Sequence, residues 1–310
     1  MEIISLKDNL NFSEKGKSLA IGNFDGVHLG HKEIVEQTIK AAKSNDLFSA
    51  ALTFEPHPIS LFNPEAKNYR LTTKQDKIKK LQKLGLDFCI VINFNSEFSE
   101  VGADLFIENI LSSQLNAKYI FTGKDFIFGH NRSGNSHLLE VKSGKFDYEY
   151  KAISDVSDNN GIRYSSSRVR ELLKNGKLES ANKIMDSNFT ISGMVVSGRK
   201  EGREIGFPTA NLELNEYVIP KYGVYAASVK VEGCTQSFIA AVNIGVRPSF
   251  DNGNPLLEAH ILDFNDDVYG KTINVELLKF IRNERKFNSV DAVREQIDKD
   301  IKIIRGVNLG

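Results

Sequence analysis

The chain has 310 residues, 41% of them apolar and 26% charged, with 40 Lys and Arg against 40 Asp and Glu. That balance leaves no global basic footprint for nucleic acid, so any anion site must be built locally. No apolar run approaches the ~20 residues of a membrane span, the N-terminus does not read as a signal peptide, and the length favours two domains. Cys89 and Cys234 sit far apart in apolar-patterned segments, which reads as two buried free thiols in a cytoplasmic protein.

Leu19-Ala20-Ile21 reads as a short buried strand, and a helical pattern carrying Ile34, Val35 and Ile39 follows it. Between them the chain turns through Gly22-Asn23-Phe24-Asp25-Gly26-Val27-His28-Leu29-Gly30-His31. A strand–loop–helix junction aims backbone N–H groups and the positive helix end at one spot, which suits a phosphate. Two histidines three apart reach that same spot. A plain turn with locally satisfied histidines is the alternative. The glycines, the paired histidines and the helix start together favour a nucleotide-phosphate cradle.

Phe48 to Phe54 reads as the next strand, ending at Glu55-Pro56-His57-Pro58, where His57 is either a ligand contact or packing of the Pro-flanked turn. Thr72 or Thr73 caps a helix bearing Ile78, Leu81 and Leu84 and stopped at Gly85. Asp87 to Phe94 is a continuous apolar run, as in a strand covered on both faces. A helix with Leu105, Ile107, Ile110 and Leu111 precedes a strand through Tyr119-Ile120-Phe121. A loop from Gly123 to Gly134 and a strand from Asp147 to Ile153 complete the alternation. Strands separated by such helices predict a parallel sheet covered on both faces, with ligands at the C-terminal strand ends. Ser165 to Leu173 then starts a helix, and Leu178 to Met185 a second one.

From Asn188 the texture changes. Five or six strand-like runs occur without intervening helices, within Phe189–Val196, Val224–Val231, Ser237–Ile244, Leu257–Leu262 and Ile273–Ile281, which indicates a small antiparallel barrel or sandwich. Val290, Val293, Ile297, Ile301 and Ile304 mark a closing amphipathic helix. The expected fold is an α/β doubly wound parallel sheet, Rossmann-like, over residues 1–186. A small antiparallel β-barrel with a closing helix follows over 187–310. Gly270-Lys271-Thr272 is no Walker A, because Asn265 stands where its first glycine belongs, and no G-x-G-x-x-G, H-E-x-x-H or cysteine cluster is present.

The motifs GNFDGVHLGH, TFEPHP, GKDFIFGHNRSGN, RYSSSRVR, GREIGFPTANL, KYGVYAA, NIGVRPSF and LEAHILDF occur in this order along the chain. In that order and coverage the sequence resembles the bacterial bifunctional riboflavin kinase/FMN adenylyltransferases, or FAD synthetases, of the HIGH-type nucleotidyltransferase superfamily. The resemblance implies two activities: ATP-dependent phosphorylation of riboflavin by the C-terminal domain, and adenylylation of FMN to FAD by the N-terminal domain. It implies that Gly22, Asn23, His28 and His31 hold the ATP phosphates, with His28 and His31 catalytic. Arg163, Ser166, Ser167 and Arg170 match the family's second phosphate-binding segment, although Ser166 suits plain helix capping equally. Asp125 falls in the motif that lines the nucleotide and flavin pockets.

In the second domain the resemblance assigns Thr209 and Asn211 to Mg²⁺ and phosphate, and Glu258 to the catalytic base. Two residues apart in extended chain, Thr209 and Asn211 face one side. Gly198, Arg199, Gly202 and Arg203 suit a flap over ATP or an ordinary solvated hairpin. Alternation puts Glu258 and His260 on one face of their strand, where a lone Glu would ordinarily just meet solvent. Implied partners are riboflavin, FMN and ATP, with no nucleic acid and no membrane; the expected state is a monomer or weak homo-oligomer. A one-activity nucleotidyltransferase with a vestigial barrel and a flavin-sensing regulator are the rivals.

Overall fold

The computed structural model of the chain describes residues 1–6, 15–196, 201–246 and 255–307. They divide into a unit of Met1–Lys67 with Lys74–Ser165 and a unit of Asn68–Thr73 with Ser166–Gly310.

The first unit begins β1 (Glu2–Leu6), β2 (Lys17–Ile21), α1 (Leu29–Ser44), β3 (Phe48–Glu55), α2 (Pro58–Phe62), α3 (Lys74–Lys83) and β4 (Phe88–Asn93). It continues with α4 (Ser96–Ser99), α5 (Ala103–Leu105) running into a π-helical stretch Phe106–Gln114, and β5 (Ala117–Gly123). The short pair β6 (Ile127–Phe128) and β7 (Gly134–Asn135), α6 (Ser136–Lys142) and β8 (Glu149–Ile153) complete it. Six strands form one all-parallel sheet in the order β1-β4-β3-β2-β5-β8.

Residue parity shows why these strands are apolar throughout. Leu19, Ile21, Leu52, Ile90 and Ile92 pack beneath the π-helical stretch through Phe106, Ile107, Ile110 and Leu111. The alternate residues Ala20, Ala51, Cys89 and Val91 pack on the other face against Ile34 and Val35 of α1 and Ile78 and Leu81 of α3. Burial on both faces removes the polar half of the pattern. The strand order reverses at β2: β3, β4 and β1 lie on one side of it, β5 and β8 on the other. A crevice at the carboxyl end of such a switch strand is where open α/β sheets bind ligands, and the Gly22–His31 turn occupies that end.

The second unit contains α7 (Ser166–Lys174), α8 (Leu178–Met185), β9 (Phe189–Met194), α9 (Glu201–Glu204), β10 (Ala210–Glu213) and β11 (Gly223–Val231). β12 (Ser237–Val246), β13 (Pro255–Ile261), β14 (Thr272–Arg282) and α10 (Val290–Arg305) follow. Its sheet runs β10-β13-β12-β11-β14-β9 with every pair antiparallel. One bridge, Val196 to Asn211, brings the two edges together and nearly closes a barrel.

The Asn68–Thr73 segment joins this unit through backbone bonds. Tyr69 N and Arg70 N donate to the Glu216 carbonyl at 3.0 and 2.8 Å, and Val218 N donates to the Arg70 carbonyl at 2.7 Å. The buried Arg70 guanidinium pairs with Glu216 at 3.1 Å. Ser289 caps α10 by accepting from Ala292 N at 3.2 Å. Ile304 is fully buried against Val224, Ala226 and Leu262. The expected apolar stripe is shorter than its spacing suggests: Val290, at the first turn of α10, is 54% exposed. Buried Asp300 instead takes a core-facing position, its carboxylate held by Arg282 of β14 at 2.7 Å. Both cysteines are free thiols, Cys89 buried and Cys234 half-buried. No helix among the described residues is long and apolar enough to cross a membrane.

Candidate active sites

The turn between β2 and α1 is held in an unusual backbone path. Gly26 has φ +85°, and the non-glycine residues Phe24 and Val27 also adopt positive φ, +51° and +47°. Such conformations persist where the surroundings enforce them, and they cluster at ligand sites. Phe24 and Val27 are buried in the core beneath α1, which anchors both strained positions.

His28 is the N-cap of α1, its Nδ1 accepting from His31 N at 3.3 Å. With Nδ1 used as acceptor, the proton of the neutral ring sits on Nε2, which becomes a donor. The His28 and His31 rings stack with centroids 3.6 Å apart and planes 19° apart, and Phe24 braces His31 edge-on at 5.3 Å. A β-carbon at Gly30 would lie 3.1 Å from His28 Cε1 and 3.5 Å from the Tyr164 carbonyl oxygen. Glycine there lets the two imidazoles and the Arg163–Tyr164 segment share the helix start.

Arg163 is gripped bidentately by Asp125, at 2.8 and 3.0 Å. Its Nε meets Asp155 at 3.0 Å, and Lys124 meets Asp155 at 2.7 Å. The hydrogen bond from Arg163, more than its charge, holds the Asp125 carboxyl below the usual carboxylate range. Asp125 thus serves Arg163 directly, at the mouth of the hairpin formed by β6 and β7.

Gly22, Asn23, His28, His31, Asp125 and Arg163 belong to the first unit, and Ser166, Ser167 and Arg170 to the second. Ser166 and Ser167 open α7, Ser166 half-buried and Ser167 exposed. Arg170 is buried, donates Nε to the Tyr69 carbonyl at 2.7 Å and lies 3.7 Å over the Tyr69 ring. His57 is buried at the N-cap of α2, where its Nδ1 accepts from Ile59 N at 3.2 Å.

The second unit carries a cleft of about 310 Å³ lined by Gly202, Arg203, Thr209, Asn211 and Glu258, with Phe264–Tyr269 on another side. That volume is at the small end of sites for small molecules. Asn211 of β10 stands opposite Glu258 of β13, which in turn stands opposite Asn243 of β12. Residues directly opposite in an antiparallel ladder share a face, so these three polar side chains form one row. His260, on the same face of β13, contacts the Pro208 carbonyl through Nδ1 at 2.8 Å and fixes the approach to Thr209. Phe207 packs edge-on to its ring at 5.5 Å.

Gly202 admits no side chain, because a β-carbon would sit 2.5 Å from the Phe207 carbonyl oxygen. Gly202 and Arg203 lie in the short helix α9, while Gly198 and Arg199 fall outside the described residues. Partial desolvation, and then the charge of Glu258, raise the Glu284 carboxyl above the usual range. Sequence reasoning passed over Asn243 and Glu284. Asn243 had a signal in the NIGVRPSF motif; Glu284 had none.

The family model described as FAD synthetase matches residues 11–168, and that described as riboflavin kinase matches residues 185–307. A bifunctional riboflavin kinase/FMN adenylyltransferase of Buchnera aphidicola is 39% identical over 309 residues, covering 98% of both chains. The enzyme of that name from Haemophilus influenzae is 38% identical over 97% of both. A crystal structure described as a macrolide-efflux protein from Streptococcus pneumoniae shares the fold at TM-score 0.87 and 30% identity, over 99% of this chain and 100% of that one. With both halves matched in the same order and relatives aligned end to end, the chain belongs to the bifunctional riboflavin kinase/FMN adenylyltransferase family.

Proposed function

We propose a division of labour in which residues 1–186 adenylylate FMN and residues 187–310 phosphorylate riboflavin, each with ATP. The bifunctional activity itself follows from membership of the family: the chain makes FMN from riboflavin and FAD from FMN. Riboflavin, FMN and ATP are its small-molecule substrates. The order of the two family matches supports the division, as does the change from parallel to antiparallel sheet between them. Two free thiols support a cytoplasmic setting.

In the first reaction an FMN phosphate oxygen attacks the α-phosphorus of ATP, and the bond to the bridging oxygen breaks to release pyrophosphate. The nucleophile is anionic at neutral pH and needs no general base. What remains is positioning and stabilisation of charge at the α-phosphate. The observation that carries this reading is the His28–His31 stack on a helix N-terminus, where imidazole and backbone donors converge. Arg163 is pre-oriented by Asp125 and Asp155 and brings guanidinium N–H donors that a phosphate can accept.

In the second reaction the riboflavin 5′-hydroxyl attacks the γ-phosphorus, its proton passing to the Glu258 carboxylate as the bond to ADP breaks. Mg²⁺ suits this cleft: the Thr209 hydroxyl and Asn211 amide oxygen are hard donors that would hold it together with substrate phosphates. Bound there, Mg²⁺ would neutralise charge on the transferring phosphoryl group. Asn211 and Thr209 orient the phosphates, and Gly202 lets the α9 turn pack against the Phe207 carbonyl on the approach to Thr209. Incubation with riboflavin, ATP and Mg²⁺ tests the whole reading by chromatography of the flavins. FMN should appear before FAD; flavin binding without ATP turnover would contradict it.

A further inference from the structure

A buried cation lies directly behind the Gly22–His31 turn. Lys77 of α3 is 1% exposed. Its ammonium meets Glu55 at 2.6 Å, the Thr53 hydroxyl at 3.0 Å and the Asn23 carbonyl at 3.2 Å. The Thr53 hydroxyl also donates to the Asn23 carbonyl, at 3.2 Å. Two donors from separate elements therefore converge on one carbonyl oxygen, that of the second residue of the turn.

Stability is a weak explanation for this arrangement. Desolvating two charges offsets most of their attraction, and apolar pairs of equal volume are often as good. α3 already docks on the sheet through Ile78 and Leu81. The convergence does have a geometric consequence. The Asn23–Phe24 peptide is planar, so pinning its carbonyl toward Lys77 and Thr53 fixes its N–H in the opposite direction. The next residue is Phe24, whose φ of +51° is costly for a non-glycine residue and needs external support. Glu55 balances the charge of Lys77, so the effect on the turn is one of shape.

We propose that Lys77 is a positioning residue for adenylyl transfer: with Thr53 it holds the Asn23 carbonyl, and so keeps the turn in the form that receives the ATP phosphates. The inference rests on the assignment of this turn to ATP. The test is the paired variant Glu55→Gln/Lys77→Met, which removes both buried charges together. The KM for ATP in FAD formation should rise roughly tenfold, the size of one lost charge-assisted hydrogen bond, while riboflavin phosphorylation by the same chain is unchanged. Thr53→Val, which keeps the ion pair and removes one donor, should shift the same KM by about threefold.

An unchanged KM in a paired variant with wild-type circular dichroism and unfolding midpoint would reduce Lys77 to a structural pair and overturn the proposal. If the paired variant does not fold, Thr53→Val decides alone, and an unaltered KM there overturns it. Normal FAD formation by His28→Ala/His31→Ala would instead remove the ATP assignment beneath it.

Discussion

Glu258 stands directly across the β10–β13 ladder from buried Asn211, so carboxylate and amide share one face of the barrel. A row of polar side chains on a barrel strand is costly unless water or a ligand meets it. Here both residues line a cleft whose other side is the Phe264–Tyr269 segment. The proposed base and the proposed phosphate-orienting group are thus set by strand register, which side-chain rotation alone cannot undo. The site proposed for adenylyl transfer is built differently, from a helix cap and a strained turn. Separate construction predicts separate sensitivities.

Gly202→Ala should impair riboflavin phosphorylation alone. The added methyl would meet backbone, the Phe207 carbonyl at 2.5 Å, so the turn leading to Thr209 must move. A displacement of about 1 Å at a catalytic group costs up to a hundredfold in rate. Initial rates of FMN production should fall by that order, with FAD formation from supplied FMN preserved.

His28→Ala with His31→Ala should give the reverse. FMN should accumulate from riboflavin and FAD should be absent. The helix cap is lost as well, at about 1 kcal/mol, so the unfolding midpoint should drop slightly. Flavin chromatography alongside a thermal melt separates the chemical from the structural effect.

The strand, turn and helix start of the first candidate site were legible because they are local: strand, glycines, histidines and helix start are contiguous from Leu19 to Ile34. Lys77 was not. It sits in KQDKIKKLQK among four other lysines, and only the three-dimensional position of Glu55 separates the buried one from its neighbours. Edge strand β1 escaped notice because its residues are mostly exposed or half-buried, leaving no apolar run to mark it. The docking of Asn68–Thr73 on Glu216 and Val218 depends on backbone bonds, which carry no residue signature. The barrel was visible as strand texture, yet the row through Glu258 needed a register that only pairing defines.

Asp125 should contribute stability in a defined pH window. Its folded pKa is depressed by Arg163, so the contribution is present above the unfolded carboxylate value of about 3.9 and is lost as pH falls through the lower folded value. Asp125→Asn should therefore be less stable than the parent at pH 7, and the gap should close on acidification. Urea melts at pH 7 and near pH 3 check the sign. The same variant releases Arg163 from its bidentate hold, so the KM for ATP in FAD formation should change too.

Lys77→Met by itself should be far more damaging to stability than the paired change. It leaves the Glu55 carboxylate, 7% exposed, without its ammonium. Stranding a buried charge costs about 3–5 kcal/mol, against a near-neutral paired replacement. Chemical denaturation of the single and paired variants measures the difference.

The central claim, that one chain carries two independent active centres, is tested most directly with Glu258→Gln. The substitution keeps the shape of the side chain and its place in the ladder while removing its capacity to accept the hydroxyl proton. Given riboflavin, ATP and Mg²⁺, the variant should form neither FMN nor FAD. Given FMN in place of riboflavin, it should form FAD at the wild-type rate. Wild-type FMN production from riboflavin would contradict the base assignment, and loss of FAD formation from FMN in the folded variant would contradict the independence of the two sites.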